Sequence, residues 1–133
     1  MKTKVLVLIT ILLLTGCSNN LKCNIKTNTY KSKIIITFQN NKPKNYLKKE
    51  NIYFTNKDTK NIYYKLKTNE YKYLINNDYT KIKNRKNKIY IKTKYNFQKK
   101  KKEIESKLEI EKNDTRKKSY QKIKSLGYTC KLT

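Results

Sequence analysis

Apolar and polar residues alternate in several short stretches of the chain, the pattern of β-strands that bury one face. Residues 88–97 show it most clearly, because one parity there is mostly lysine. The other parity consists of Ile89, Ile91, Thr93, Tyr95 and Phe97. Further strands are predicted at residues 21–27, 33–39, 46–54, 79–83 and 128–132. The prediction is weakest at 46–54, where the apolar residues do not alternate cleanly.

Between residues 58 and 76 the apolar spacing changes to every third or fourth position. Asp58 is a suitable N-cap, and the pattern ends in the polar residues 76–78. The stripe consists of Ile62, Leu66 and Tyr73, together with Tyr63 and Leu74. This spacing predicts a helix.

A second helix is predicted near the C-terminus. Asn113 or Asp114 can cap it, and Gly127 follows at the place where a left-handed C-terminal cap belongs. Its apolar stripe consists of Tyr120, Ile123 and Leu126.

Residues 98–111 fit two patterns. Ile104 and Leu108 have helical spacing, but together with Ile110 they also alternate. We expect a helix, because β-branched residues are not enriched in this stretch.

The predicted elements run strand, strand, strand, helix, strand, strand, helix, strand. Polar connections at residues 40–43 and 84–87 suit hairpins. We therefore predict an α+β fold, in which an antiparallel β-sheet of about five to six strands carries two to three helices packed on one face.

The N-terminus has the layout of a bacterial export signal. Lys2 and Lys4 precede a ten-residue apolar stretch, Val5–Leu14, which is too short to span a bilayer. Leu14–Cys17 reads Leu-Thr-Gly-Cys, which matches a lipobox. The alternative is an ordinary signal peptide with a chance cysteine.

This layout divides the chain into three parts. Residues 1–16 are the predicted lipoprotein signal peptide, residues 17–20 a lipidated tether, and residues 21–133 a single extracytoplasmic domain. Lipid on Cys17 would anchor the protein to the cell membrane on its extracytoplasmic face.

The mature chain is strongly basic. Without Lys2 and Lys4 it has 32 basic residues against 9 acidic ones, a formal net charge of +23. One explanation is a polyanionic partner such as DNA, teichoic acid or anionic lipid headgroups. The other is codon bias of a genome rich in A and T, because Lys, Asn, Ile and Tyr make up more than half of the 133 residues and arginine is nearly absent.

Two cysteines remain once Cys17 carries lipid. Cys23 and Cys130 lie near opposite ends of the mature chain, and a pair in an oxidising compartment predicts one disulfide. It would place the first and last strands side by side in the sheet. Two reduced, buried cysteines are the alternative.

Several of these features together resemble the YehR-type family of small bacterial lipoproteins and its uncharacterised relatives. They are the lipobox Leu14–Cys17, the second cysteine Cys23, the hairpin around Tyr30 and the ending Gly127–Lys131. The resemblance implies a small lipid-anchored domain. It implies no activity and no functional residues.

The residue types argue against an enzyme. The chain has no histidine, the commonest general base and metal ligand, so we expect no catalytic residue, metal or cofactor. One acidic cluster offers a weak Ca²⁺ patch or, alternatively, a solvated face that offsets residues 99–102. The cluster consists of Glu103, Glu105, Glu109 and Glu111. A hydrolase that uses carboxylates would need two of the nine acidic side chains to converge in one pocket.

Tyrosines interleave with lysines from residue 63 to residue 95. They could stack on bases or sugars in a basic groove, or they could fill the core with their hydroxyls at its rim. The sequence thus predicts a small binding or structural module of the cell envelope. A polyanion-binding lipoprotein is the alternative.

Overall fold

The computed structural model describes residues 19–133. The predicted signal peptide and the predicted lipidation site, Cys17, lie outside the described residues.

Six strands form one sheet in the described part of the chain, in the order β4-β5-β3-β2-β1-β6. All neighbouring strands are antiparallel. The strands are β1 (Asn20–Lys26), β2 (Tyr30–Gln39), β3 (Lys42–Tyr53), β4 (Thr80–Asn84), β5 (Lys88–Asn96) and β6 (Thr129–Leu132). The predicted α+β class is confirmed.

Four α-helices accompany the sheet over residues 19–133. They are α1 (Lys57–Glu70), α2 (Lys72–Asn76), α3 (Lys102–Glu105) and α4 (Arg116–Ser125). A 3₁₀ turn, Phe97–Lys99, follows β5. The helices pack on one face of the sheet and contribute Leu74, Ile104 and Ile123 to the core.

The caps differ from those predicted. The Asn56 side chain accepts a hydrogen bond from the Thr59 N–H at 3.0 Å, so α1 begins before Asp58. Thr115 caps α4 by accepting from the Lys118 N–H at 3.1 Å, in place of Asn113 or Asp114. Both sites have several neighbouring polar residues that could cap the helix. The cap is the residue with an extended backbone directly before the first helical turn.

Alternation located the core of the sheet correctly in β2 and β5. In β2 the residues Ile34, Ile36 and Phe38 are buried. The alternating residues of β5 and of the turn after it are also buried: Ile89, Ile91, Thr93, Tyr95 and Phe97. Strand β3 is longer and more central than the sequence indicated, because it begins at Lys42 and lies between β2 and β5. Its alternation is disguised by two charged residues, Lys48 and Glu50, on the core-facing side.

The β2–β3 hairpin turns within two residues. Asn40 and Asn41 have φ angles of 53° and 58°, the left-handed conformation that a tight hairpin requires. Lys42 and Pro43, which were expected in this turn, therefore belong to β3.

Of the apolar residues predicted to form one stripe in this segment, Leu74 is buried, but Ile62, Leu66 and Tyr73 are not. Ile62 and Leu66 are 61% and 63% exposed, and Tyr73 is also exposed. Helix α1 lies over the β4–β5 side of the sheet and buries Lys60, while Leu74 of α2 enters the core. Leu126, predicted in the stripe of the last helix, is exposed as well.

The long helix expected at residues 98–111 does not form. Lys100 takes a left-handed conformation, with φ of 52°, and ends the 3₁₀ turn. Helix α3 then covers four residues, and the chain continues irregularly to α4. Ile104 and Ile110 are both buried although no single helix or strand connects them.

The first and last strands are neighbours, as predicted. In the register of β1 and β6, Cys23 lies directly opposite Cys130. The two sulfurs are bonded and the Cα atoms are 4.1 Å apart. The bond therefore links the first strand of the chain to the last one, which is an edge strand of the sheet.

No helix between residues 19 and 133 has the length and apolar character needed to cross a membrane.

Candidate polyanion-binding surface

One side of the sheet is not covered by the helices, and we call it the open face. Side chains alternate between the two sides of each strand, so the residues between the core positions point to the open face. The register of neighbouring strands is continuous apart from one shift between Thr37 and Phe38, so these residues form rows that run across the sheet.

Four lysines on the open face lie in one such row, which we call the lysine row. Lys33 pairs with Lys49 and Lys49 with Lys92. Lys92 in turn pairs with Lys81. The row therefore crosses β2, β3, β5 and β4, whose backbones are spaced by about 4.8 Å.

The rest of the open face is also basic. The same parity places seven more lysines there: Lys22, Lys26, Lys31, Lys83, Lys88, Lys94 and Lys131. Within residues 19–133 the strands contain one acidic residue, Glu50, and its side chain faces the helices. The other acids of the described chain belong to helices and connections.

Open-face lysines have no carboxylate partners among the ion pairs of the described residues, which involve only Lys48, Lys67, Lys118 and Lys122. Lys31 and Lys88 instead lie over the Tyr53 ring, at 5.3 and 5.8 Å from its centroid. Like charges directly opposite each other in a sheet are destabilising. The lysine row therefore opposes folding, and a bound anion would relieve that repulsion.

Two further rows follow the lysine row in the same direction along the strands. The first pairs Ile35 with Leu47, two half-buried apolar residues. The second, which we call the amide row, consists of Asn20, Thr37, Asn45 and Asn96 in direct register. A cavity of about 580 Å³ lies at this end of the open face.

The helix-facing side of β3 has the opposite character, because its charges are paired and largely buried. Lys48 donates a hydrogen bond to Glu109, and the Tyr46 hydroxyl donates to the same carboxylate. Lys48 is also 3.6 Å from Glu50, which accepts a hydrogen bond from Tyr30 at 2.6 Å. Every group in this cluster has a partner within the fold.

Burial and these carboxylates shift the pKa values of the cluster. Burial acts to lower the pKa of the Lys48 ammonium, but Glu109 and Glu50 outweigh it and the pKa lies above its ordinary value. Burial, with Glu50 beside it, raises the pKa of Tyr30. Burial and Glu109 likewise raise the pKa of Tyr46. The lysine stays charged and the tyrosines neutral, so the cluster is a fixed structural network.

The predicted acidic cluster does not converge on a metal. Glu109 binds Tyr46 and Lys48, whereas Glu105 accepts a hydrogen bond from Tyr95 at 2.8 Å. Over residues 19–133 no group of three or more acids or cysteines is arranged to hold a metal ion. The sequence did not reveal that these glutamates accept hydrogen bonds from tyrosine hydroxyls, since both contacts depend on how the chain folds back after β5.

The tyrosines divide between the core and the surface. Tyr46, Tyr95 and Tyr128 are buried, with their hydroxyls bonded to polar partners, as expected of core tyrosines. Tyr90 lies on the open face, between Asn51 and Lys83 in the register. The described tyrosines therefore do not form one continuous stacking groove.

Comparison of the chain with family models, with curated proteins and with solved structures returns no match. The resemblance to YehR-type lipoproteins stays an interpretation of the sequence motifs.

Proposed function

We propose that this protein is a lipid-anchored module of the cell envelope that binds an anionic polymer through its open face. The observation that carries the proposal is the lysine row, in which four lysines from four strands stand in direct register with no acid among them.

The distribution of acids supports binding over codon bias. Codon bias adds lysines without regard to their neighbours, and the helix side does carry many lysines. There, however, acids accompany some of them, as Asp114 does beside Lys118 and Lys122. On the open face lysines accumulate opposite one another, an arrangement that weakens the sheet.

The predicted anchor fits a surface-bound role. Cys17 precedes β1 by three residues, and an extended chain of that length reaches about 10 Å. Lipid on Cys17 would therefore hold the domain close to the bilayer, where it would meet polymers of the envelope.

Matched variants test the binding surface. The quadruple variant Lys33→Gln, Lys49→Gln, Lys81→Gln and Lys92→Gln removes the lysine row. The control Lys57→Gln, Lys65→Gln, Lys72→Gln and Lys117→Gln removes the same charge from exposed positions on or beside the helices. Binding of polyphosphate is measured by titration calorimetry at several salt concentrations.

We expect wild type and control to bind polyphosphate near physiological salt, and the open-face variant to bind far more weakly. Since each lost phosphate contact lowers the slope of log K against log salt by about 0.7–0.9, the slope should fall by about 3. Equal losses in both variants would mean a diffuse charge effect and would overturn the proposal. So would stronger binding to phosphatidylglycerol vesicles than to polyphosphate at equal phosphate concentration.

The anchor has a separate test. Cys17→Ala, or growth with globomycin, should leave an unprocessed protein, and mass spectrometry should find diacylglycerol on Cys17 of the wild type. A wild-type protein without lipid on Cys17 would overturn the anchor and leave the polymer-binding surface to be judged by the first experiment.

A further inference from the structure

We infer that the open face takes a polymer in which anionic groups alternate with hydroxylated sugar or polyol units, and that the cavity beside the lysine row holds one such unit. This inference rests on the proposed function and names its ligand class.

The cavity combines an apolar floor with amide groups. Ile35 and Leu47 lie side by side on its floor, and Thr37, Asn45 and Asn96 of the amide row line one side. Its volume of about 580 Å³ lies within the range of sites for small ligands. It is large enough for one sugar ring.

The donors and acceptors suit hydroxyl groups. An asparagine side chain offers two N–H donors and a carbonyl acceptor, and a threonine hydroxyl can both donate and accept. A sugar or polyol hydroxyl likewise donates and accepts, while the C–H groups of the same unit can lie against Ile35 and Leu47. A sulfate group or an internal phosphate of a polymer has no hydrogen-bond donor, so such a group alone would leave the carbonyls of Asn45 and Asn96 without a donor.

Charge places the anionic group outside the cavity. The cavity lining has one acid, Asp78, against two lysines, Lys94 and Lys99, so its excess positive charge is small. Lys99 also lies over the Tyr79 ring, 5.3 Å from its centroid. The lysine row has four lysines and no acid, so an anionic group is held better there than in the cavity.

The spacing of the rows links the two sites. Successive rows on one face are two residues apart along each strand, about 6.7 Å. The lysine row is therefore one row from the apolar pair and two rows from the amide row. A hydroxylated unit over Ile35 and Leu47 would place a neighbouring anionic group over Lys33 and Lys49.

The test compares three polymers at matched concentrations of anionic groups: dextran sulfate, polyphosphate and oligo(dT). Dextran sulfate has free hydroxyls on its sugar rings, polyphosphate has no carbon unit, and the internal deoxyriboses of oligo(dT) have no free hydroxyl. We expect the wild-type protein to bind dextran sulfate most tightly.

The decisive variant is Asn45→Ala with Asn96→Ala, which keeps the charge. It should bind dextran sulfate about tenfold more weakly and polyphosphate with unchanged affinity. The matched control is Asn69→Ala with Asn113→Ala, two exposed asparagines outside the sheet that do not line the cavity. The control should leave both affinities unchanged, and thermal denaturation should show that each variant folds.

Three results would overturn the inference while leaving polymer binding intact. They are tighter binding of oligo(dT) than of dextran sulfate, equal losses for dextran sulfate and polyphosphate in the Asn45 and Asn96 variant, and no loss for either. If the wild-type protein binds none of the three polymers near physiological salt, the proposed function itself fails.

Discussion

Lys49 on β3 lies directly opposite Lys92 on β5, and both side chains belong to the open face. Lys33 stands opposite Lys49 on its other side, so Lys49 has a like charge on both neighbouring strands. This arrangement couples the stability of the sheet to its predicted ligand.

Replacing Lys49 by Glu should stabilise the domain and weaken polyanion binding. The substitution converts two like-charge pairs, with Lys33 and Lys92, into opposite-charge pairs, which should raise the free energy of unfolding by about 1 kcal/mol. Urea denaturation at low salt measures the gain, which should shrink in 1 M NaCl because surface charges are then screened. Lys65→Glu on the exposed side of α1 is the control and should change stability by no more than a few tenths of a kcal/mol. A destabilised Lys49→Glu would contradict the role assigned to the lysine row.

Loss of the Cys23–Cys130 bond should destabilise the domain strongly. The bond closes a loop of 107 residues, for which the chain-entropy model gives about 4–5 kcal/mol. Denaturation with and without reductant, or of Cys130→Ser, measures the difference.

Hydrogen exchange should show where the reduced domain opens. Amides of β6 and β1 should lose protection first, because the chain ends are then held only by short strand pairings, while the β4–β5 hairpin at the opposite edge keeps its protection. Uniform loss of protection along the sheet would show that the bond stabilises the domain as one unit.

Glu109→Gln should destabilise more than Tyr46→Phe. The side chain of Lys48 is only 18% exposed, and Glu109 is the carboxylate to which it donates a hydrogen bond. Removing one partner of a buried ion pair costs about 3–5 kcal/mol, whereas removing one hydroxyl costs about 1 kcal/mol. Thermal denaturation of both variants checks the order.

The double variant Lys48→Met with Glu109→Leu is the control for that experiment. It removes both charges together and should recover much of the stability lost in Glu109→Gln. Equal effects of Glu109→Gln and Tyr46→Phe would show that water already solvates Lys48.

Asp114 should make the domain sensitive to acid. Burial acts to raise the pKa of this carboxyl, but the Glu111 N–H at 2.9 Å and the ammonium groups of Lys122 and Lys118 outweigh it, so the pKa lies below its ordinary value. A lowered pKa in the folded state gives stability that is complete above the pKa of the unfolded chain, about 3.9. That stability is lost as the pH falls through the folded-state pKa.

Asp114→Ala should therefore lower stability by about 1–3 kcal/mol at pH 7 and flatten its decline in acid. Chemical denaturation at a series of pH values between 7 and 2 gives both quantities. Asp58→Ala is the control, since Asp58 is exposed and has no ion-pair partner in the described structure. Parallel stability curves for the Asp114 variant and wild type would refute the assignment.

Local pattern alone determined most of the strands. The alternation in residues 88–97 identified β5 and its buried parity, and the apolar residues at 34, 36 and 38 did the same for β2. Such predictions succeed because the side-chain period of a strand is a property of neighbouring residues. The pattern failed at β3, where Lys48 and Glu50 face the core: a charge buried with its partner cannot be distinguished in sequence from a charge in solvent.

The helices show the same limit. Spacing identified α1 but not its buried side, because Ile62 and Leu66 face away from the β4–β5 side of the sheet and stay exposed. The glutamates after residue 102 formed a cluster in sequence, yet Glu105 and Glu109 bind different tyrosines. The partner that buries an apolar side chain or binds a carboxylate is set by tertiary contacts, and the local sequence pattern does not contain them.

By itself the sequence determined the basic charge, the α+β class and the pairing of the first and last strands through two cysteines. Only the tertiary structure decided that Lys33, Lys49, Lys81 and Lys92 stand in one row, because they come from four separate strands. A shift of the register by one residue in any strand would turn its lysine toward the helices. The candidate site therefore depends on strand register, which is fixed by packing of the whole core.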